Sequence, residues 1–179
     1  MVRTFVAIDL PEEIRERIRE SRTILAGAGG RLAIVDPASL HITVKFLGEV
    51  EPGRISAIIE ALHATSSGAF EVTVGRAALN RPRSPRVVWC NVTDTGESAA
   101  LAREVDDLLE PLGFPRERRP FRPHVTLARV KEFHPSLIQQ VQRMPSEPFG
   151  RFRVETIKLK KSTLTPHGPI YEDLAEVAL

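Results

Sequence analysis

Hydrophobic residues follow two spacings along the chain, one typical of strands and one typical of helices. Short stretches of alternating or continuous apolar residues predict strands at 4–10, 32–35, 41–47, 70–74, 86–92, 124–127, 149–164 and 170–179. Between them, apolar residues three or four positions apart predict helices that begin near Pro11, Pro52, Asp94 and Pro135. The resulting order of strands and helices predicts an α+β protein.

Turn residues separate these elements. Gly-Ala-Gly-Gly at 27–30 is expected to end the first helix; it resembles a phosphate loop, but no Gly-Lys-Ser/Thr follows. Gly48 is expected to close the strand that begins at His41. His167-Gly168-Pro169 is expected to form the turn before the last strand, which would make the last two strands a hairpin.

One short motif occurs twice. His-Ile-Thr-Val at 41–44 returns as His-Val-Thr-Leu at 124–127, and the second histidine lies 83 positions after the first. In a strand, side chains two positions apart point to the same face, so each histidine shares a face with its threonine. Each copy is therefore predicted to project an imidazole and a hydroxyl into one space and to bury its aliphatic residues behind.

The surroundings of the motif are repeated as well. A strand and a helix precede each copy, and a helix and a strand follow it. This duplication predicts a single domain over 1–179 with two pseudo-symmetric lobes, in which two mostly antiparallel sheets face each other across a central cleft with helices on the outside. A doubly wound parallel sheet is the rival fold. The histidines near strand starts and the expected final hairpin argue against it.

Strand parity suggests further residues for the same space. Lys45 has the parity of His41, so we predict that it binds substrate, although an exposed strand lysine is an equally simple interpretation. Arg122 has the parity of His124 and is predicted to contact phosphate. Arg129 has the opposite parity unless a bulge intervenes.

Composition narrows the class of protein. The 179 residues are 42% hydrophobic and 27% charged, as in ordinary globular proteins. A single cysteine excludes an internal disulfide framework and a thiolate zinc cluster, and it agrees with a cytoplasmic location. The N-terminus has no long apolar run, so we expect neither a signal peptide nor a membrane span.

Charge says less about partners. The net charge of +2 does not argue for nucleic-acid binding, but 20 of the 25 basic residues are arginine, with clusters at 76–86 and 116–122. Arginine favours phosphate, although such clusters are commonly only solvated surface. The single tryptophan, Trp89, could stack a base, but packing in the core is the preferred interpretation.

Two histidines flanked by two hydroxyls suit phosphoryl chemistry in which one histidine takes a proton and the other gives one. Three alternatives compete with this hypothesis. The histidines could be structural, which duplication with matched threonines disfavours. They could bind zinc, but no third ligand lies nearby with the right parity. A non-catalytic module that binds RNA ends would explain the arginines but not the duplicated histidines.

The sequence also resembles a known family. HITVKFLG and FRPHVTLARV, together with the opening TFVAIDLP and the closing LKKSTLTPHGPIYEDL, resemble the two-histidine phosphoesterases. Within that superfamily they are similar to the RNA 2′,3′-cyclic phosphodiesterases, long called 2′-5′ RNA ligases. The resemblance covers nearly the whole chain and implies a bilobed α+β fold.

It also implies an activity, which is hydrolysis of a 2′,3′-cyclic phosphate to a 2′-phosphate end without metal or cofactor, together with 2′-5′ RNA ligation. The substrate would be RNA with a cyclic phosphate end or a small cyclic-phosphate nucleotide. By resemblance, His41 is the proton donor and His124 the proton acceptor, while Thr43 and Thr126 hold non-bridging oxygens. A monomer is the default expectation.

Overall fold

In the computed structural model, residues 1–166 and 168–179 are described, and within them the chain forms nine strands and four α-helices. His167, in the predicted turn, lies outside the described residues. The strands are β1 Val2–Asp9, β2 Arg31–Ile34, β3 His41–Val50, β4 Phe70–Leu79, β5 Val87–Thr93, β6 His124–Glu132, β7 Gly150–Val154, β8 Thr156–Thr165 and β9 Gly168–Ala178. The helices are α1 Glu12–Ala26, α2 Ile55–Leu62, α3 Glu97–Leu109 and α4 Ser136–Arg143.

The strands form one curved sheet in the order β7-β4-β5-β6-β3-β1-β8-β9, and β2 pairs with β6 beside this path. Every strand pairing among the described residues is antiparallel. The α+β class and the antiparallel pairing are therefore confirmed, and the parallel rival is wrong. The two expected sheets are the two halves of this sheet, joined in the middle by a single residue pair, Ile42 with Val125.

Two of the helices, α1 and α3, pack against elements of the half of the sheet that they do not follow in sequence. α1 follows β1 but packs against α4 and β2, whereas α3 follows β5 but packs against α2 and β3. The apolar stripe predicted for α1 is buried, with Ile14, Ile18 and Leu25 all at most 6% exposed. Each repeat thus contributes a helix to the core of the other half, and the core forms between the sheet and these helix pairs.

The strand predicted at 149–164 is in fact two strands. β7 pairs with β4 in one half of the sheet, and β8 pairs with β1 in the other, with Glu155 between them. Apolar residues alternate on both sides of Glu155, but they occupy even positions before it, at Phe152 and Val154, and odd positions after it, at Ile157 and Leu159. This change of phase marks an irregularity in the strand, although a bulge would give the same pattern. Only the pairing of the strands decides that the chain crosses between halves here.

β3 runs beyond its predicted end. Gly48 does not close the strand but continues it with a φ of +74°, opposite Thr4 at a register shift. A left-handed residue at a bulge favours glycine, which is why a turn residue occurs inside this strand.

The glycine run at 27–30 ends α1 as predicted. The Gly29 amide donates a hydrogen bond of 2.8 Å to the Ser136 hydroxyl, which ties the loop to α4. Gly30 has a φ of +79°, and a Cβ there would lie 2.3 Å from the Glu132 carbonyl oxygen. The glycine run therefore allows α1, α4 and β6 to approach one another closely.

None of the helices in the described ranges combines the length and apolar character needed to cross a membrane.

Candidate active site

The two repeated motifs meet in the middle of the sheet. His41 is the first residue of β3 and His124 the first of β6, and Ile42 pairs with Val125 between them. Ile42 and Val125 are fully buried on the helix side of the sheet, so the residues that flank them point to the opposite face. His41, Thr43, His124 and Thr126 therefore project together from the concave face, each half-buried.

Each histidine is held by the same local contact. Nδ1 of His41 lies 2.8 Å from the carbonyl oxygen of Ser39, and Nδ1 of His124 lies 2.8 Å from that of Arg122. A carbonyl oxygen only accepts, so in both rings Nδ1 carries the proton and donates it. Nε2 of each ring is thereby left for proton exchange with a ligand in the cleft.

The surroundings of the two rings differ in aromatic contacts. The His41 ring packs against Phe5, with centroids 4.9 Å apart, and edge-on against Tyr171 at 5.2 Å. The His124 ring packs against Trp89 at 4.8 Å. Trp89 is half-buried and lies outside the hydrophobic core, so the preferred prediction of core packing is wrong for this side chain.

The charges beside the rings also differ. Asp9 pairs across the strands with His41, whereas Asn91 occupies the matching position opposite His124. Burial lowers the pKa of His41, and the hydrogen bond to the Ser39 carbonyl opposes that effect. Nearby, Lys160 lowers the same pKa and Asp9 raises it. Burial is the largest of these effects, so the pKa of His41 lies below its ordinary value.

Asp9 belongs to a cluster of four charges on the concave face of β1, β8 and β9. The Lys160 ammonium lies 2.9 Å from Asp9 and 2.5 Å from Asp173. The Lys158 ammonium lies 3.1 Å from Asp9 and 2.7 Å from Asp173. An open pocket of about 790 Å³ lies over this cluster and reaches the His41 ring. Charged groups of both signs thus line the pocket on the His41 side of the pair.

Lys45 does not reach the cleft, and the prediction that it binds substrate is wrong. The register of β1 against β3 shifts so that Ala7 pairs with Thr43 but Val6 pairs with Lys45, which makes Val44 the extra residue of a bulge. Lys45 is 8% exposed and points to the helices, where it forms an ion pair with Asp106 and donates to the Pro115 carbonyl at 2.7 Å.

β6 contains the same bulge, and there it brings a residue into the site. Trp89 pairs with Thr126 but Val88 pairs with Ala128, so Arg129 returns to the face of the histidines. Arg129 is exposed. Burial lowers the pKa of His41 and the charge of Arg129 adds to that effect, whereas burial raises the pKa of Tyr171 and the charge of Arg129 opposes the rise. The sequence signal is the adjacent apolar pair Leu127-Ala128, which breaks the alternation just before Arg129.

Arg122 contributes its main chain through the carbonyl that holds His124, and its side chain is exposed. A phosphate contact of that side chain stays a prediction. Within the described ranges, no three His, Cys, Asp or Glu side chains are grouped closely enough to hold a metal ion.

Known proteins are similar to this chain in sequence and in fold. Residues 10–164 match the family model of the 2'-5' RNA ligase superfamily. The chain is 41% identical over 174 residues to an RNA 2',3'-cyclic phosphodiesterase of Archaeoglobus fulgidus, which covers 97% of this chain and 98% of that relative. It is 37% identical over 182 residues to an RNA 2',3'-cyclic phosphodiesterase of Thermotoga maritima, over 98% of this chain and 94% of the relative. E. coli LigT complexed with 3'-AMP superposes with a TM-score of 0.82 at 29% identity, over 99% of this chain and 98% of LigT.

Proposed function

This chain belongs to the 2'-5' RNA ligase superfamily, and from that premise we propose that it hydrolyses RNA 2′,3′-cyclic phosphate ends to 2′-phosphates by acid–base catalysis between His41 and His124. The observation that carries the proposal is the pair of half-buried imidazoles on one face, each held through Nδ1 by a backbone carbonyl with Nε2 left for substrate. The relatives named above supply the substrate class.

The reaction needs one proton accepted and one donated. Nε2 of His124 takes a proton from water as the water oxygen attacks phosphorus, and Nε2 of protonated His41 gives a proton to the departing ribose 3′-oxygen. The new P–O bond replaces the P–O3′ bond, so the product is a 2′-phosphate and a free 3′-hydroxyl. The two rings exchange protonation states, and solvent restores them.

Charge builds on the non-bridging phosphate oxygens as water attacks. Thr43 and Thr126 project beside the histidines and donate hydroxyl hydrogen bonds to these oxygens. Arg129, brought to the same face by the bulge in β6, supplies positive charge, and Arg122 adds to it from the rim. No step uses a metal or a cofactor. We further propose reversible 2′-5′ RNA ligation at the same site, a monomeric state and a cytoplasmic location.

The test is hydrolysis of an RNA ending in a 2′,3′-cyclic phosphate, run in EDTA with wild type, His41→Ala and His124→Ala. We expect wild-type turnover to survive chelation, and each substitution to lower kcat by roughly 10²- to 10⁴-fold, as for loss of a general acid or base. His63→Ala, which removes an exposed histidine after α2, is the matched control and should keep wild-type activity.

Binding of the same RNA separates the catalytic proposal from the alternative of a non-catalytic module. An enzyme with His41→Ala keeps most of its affinity and loses turnover. RNA binding without wild-type turnover would overturn the proposal in favour of the binding module. Loss of activity in EDTA would instead require a metal.

A further inference from the structure

Two arginine-rich segments lie at the two ends of β6, the strand that carries the second histidine. The loop of residues 80–86 leads into β5 opposite Arg129, and the segment of residues 116–123 leads directly into His124. The length of strand between them is roughly 20 Å. The exposed side chains of these segments that the site does not yet use are called the arginine face, and they are Arg81, Arg83, Arg86, Arg118 and Arg119.

The charge of the arginine face is not compensated by the surrounding fold. Residues 72–93 and 118–131, which include β5 and nearly all of β6, contain no aspartate or glutamate. Among residues 1–166 and 168–179, the arginines that form ion pairs are at positions 15, 17, 19, 116 and 153, so none belongs to the arginine face. Positive charge without a carboxylate partner attracts a polyanion.

The strands beside His41 have their positive charges paired instead. β8 carries Lys158, Lys160 and Lys161, and each of these ammonium groups contacts a carboxylate of β1 or β9. Uncompensated arginines therefore lie beside His124, whereas the lysines of β8 already have partners. The two sides of the site thus differ in their attraction for a phosphate backbone.

The loop of residues 80–86 is held closed at its base. The side-chain oxygen of Asn80 accepts hydrogen bonds of 3.0 Å from the amides of Arg86 and Val87. Pro85 is buried, and its ring fixes its own φ. A loop that is ordered before binding loses less conformational entropy when it binds, so this loop suits a binding surface.

The chemistry of ligation selects the strand that lies beside His124. A ribose 5′-hydroxyl then takes the place of water: His124 accepts its proton, the 5′-oxygen forms the new bond to phosphorus, the P–O3′ bond breaks, and His41 gives its proton to the 3′-oxygen. Attacking and leaving oxygens lie roughly in line on opposite sides of phosphorus. The strand with the 5′-hydroxyl therefore approaches from the side of His124, where the arginine face lies.

We propose that the arginine face binds the sugar–phosphate backbone of the RNA strand that presents its 5′-hydroxyl to His124. The inference rests on the proposed function, including ligation at the same site, and adds a binding surface for the second substrate of that reaction. Arginine contacts to phosphate carry no sequence information, so the face accepts strands of any base sequence.

The experiment measures two reactions of each variant. The first is ligation of an RNA with a 2′,3′-cyclic phosphate end to a 5′-hydroxyl RNA oligonucleotide, with KM determined for the 5′-hydroxyl strand. The second is hydrolysis of the cyclic-phosphate RNA alone. Hydrolysis of adenosine 2′,3′-cyclic phosphate, which has no further phosphate, reports an intact catalytic site.

Three multiple variants are compared with wild type. Two of them remove charge from the arginine face, one at each end of β6, and they are Arg81→Gln/Arg83→Gln/Arg86→Gln and Arg118→Gln/Arg119→Gln. The matched control removes three exposed arginines from α1, α3 and α4, and it is Arg22→Gln/Arg103→Gln/Arg143→Gln.

We expect the triple variant of the arginine face to raise KM for the 5′-hydroxyl strand by roughly 10- to 100-fold, and the double variant to raise it by less. The dependence of log KM on log salt concentration should lose about 2 from its slope in the triple variant, since each phosphate contact to a single strand contributes about 0.7. Both hydrolysis reactions should keep the wild-type kcat/KM, and the control variant should match wild type throughout.

An unchanged KM in both variants of the arginine face, or an equal rise in the control variant, would overturn the inference. A fall in hydrolysis of the cyclic-phosphate RNA as large as the loss of ligation would assign the face to that strand and would also overturn it. A wild type that hydrolyses but does not ligate would overturn the inference and leave the proposed hydrolysis intact. A wild type that does neither would overturn both.

Discussion

At the scale of single residues, the two histidines make the same hydrogen bond to the backbone but face residues of different charge. Both rings donate from Nδ1 to a carbonyl two residues earlier in the chain. Asp9, tied to Lys160, lies opposite His41, whereas uncharged Asn91 lies opposite His124. The two copies of the motif thus differ in the residue that a neighbouring strand places opposite the histidine.

This difference predicts how pH acts on turnover. If His41 is the donor, the alkaline limb of kcat/KM reports loss of its proton, and its lowered pKa places that limb on the acidic side of the ordinary value. Asp9→Asn removes a charge that raises the pKa of His41, so the limb should move to lower pH. Lys160→Met removes a charge that lowers it, so the limb should move to higher pH.

The measurement is kcat/KM against pH for both variants, alongside an NMR titration of the His41 ring. Glu176→Gln is the control, because Glu176 contacts Lys158 and has no part in the shift at His41. Movement of the acidic limb instead would mean that His41 accepts the proton, and the roles of the two histidines would be reversed.

At the scale of elements, the bulges in β3 and β6 determine which side chains enter the cleft. Each bulge inserts one residue after the His-x-Thr motif and reverses the parity of the next residues, up to a second register shift farther along the strand. Lys45 consequently ties β3 to α3 through Asp106, and these two side chains are 7% and 14% exposed.

Lys45→Met should therefore act on stability and not on substrate binding. It leaves the Asp106 carboxylate with little solvent and without its cation, which costs about 2–4 kcal/mol of unfolding free energy. We expect a lower midpoint in urea with KM for the cyclic substrate unchanged. Lys131→Met, at an exposed lysine of β6, serves as the control.

The double variant Lys45→Met/Asp106→Leu should recover much of the loss, because no charge is left buried. A raised KM at undiminished stability would contradict this interpretation and return Lys45 to the substrate site.

At the scale of the whole molecule, α1 and α3 connect the two halves, because each packs against the half that it does not follow in sequence. α1 from the first repeat packs against α4 and against β2, which pairs with β6 of the second half, and α3 from the second repeat packs against α2 and β3 of the first half. The chain crosses again at Glu155, between β7 and β8. We therefore expect that neither half keeps its core when the other unfolds.

The interpretation of residues 1–179 as one domain predicts a single unfolding transition. Calorimetric and van't Hoff enthalpies should agree, and far-UV circular dichroism should change together with the fluorescence of Trp89, which lies in the second half. Two separated transitions would show that the lobes are independent domains.

The sequence by itself determined the α+β class, the duplicated strands and the face shared by each histidine and its threonine, because these depend on local periodicity and on turn residues. It also predicted that the glycine run ends α1. The tertiary structure decided the rest. Bulges depend on pairing with a neighbouring strand, so Lys45, Phe46 and Arg129 took faces that strand alternation alone assigns wrongly. The crossing between halves at Glu155 likewise depends on which strands pair, and the residue opposite each histidine comes from another strand.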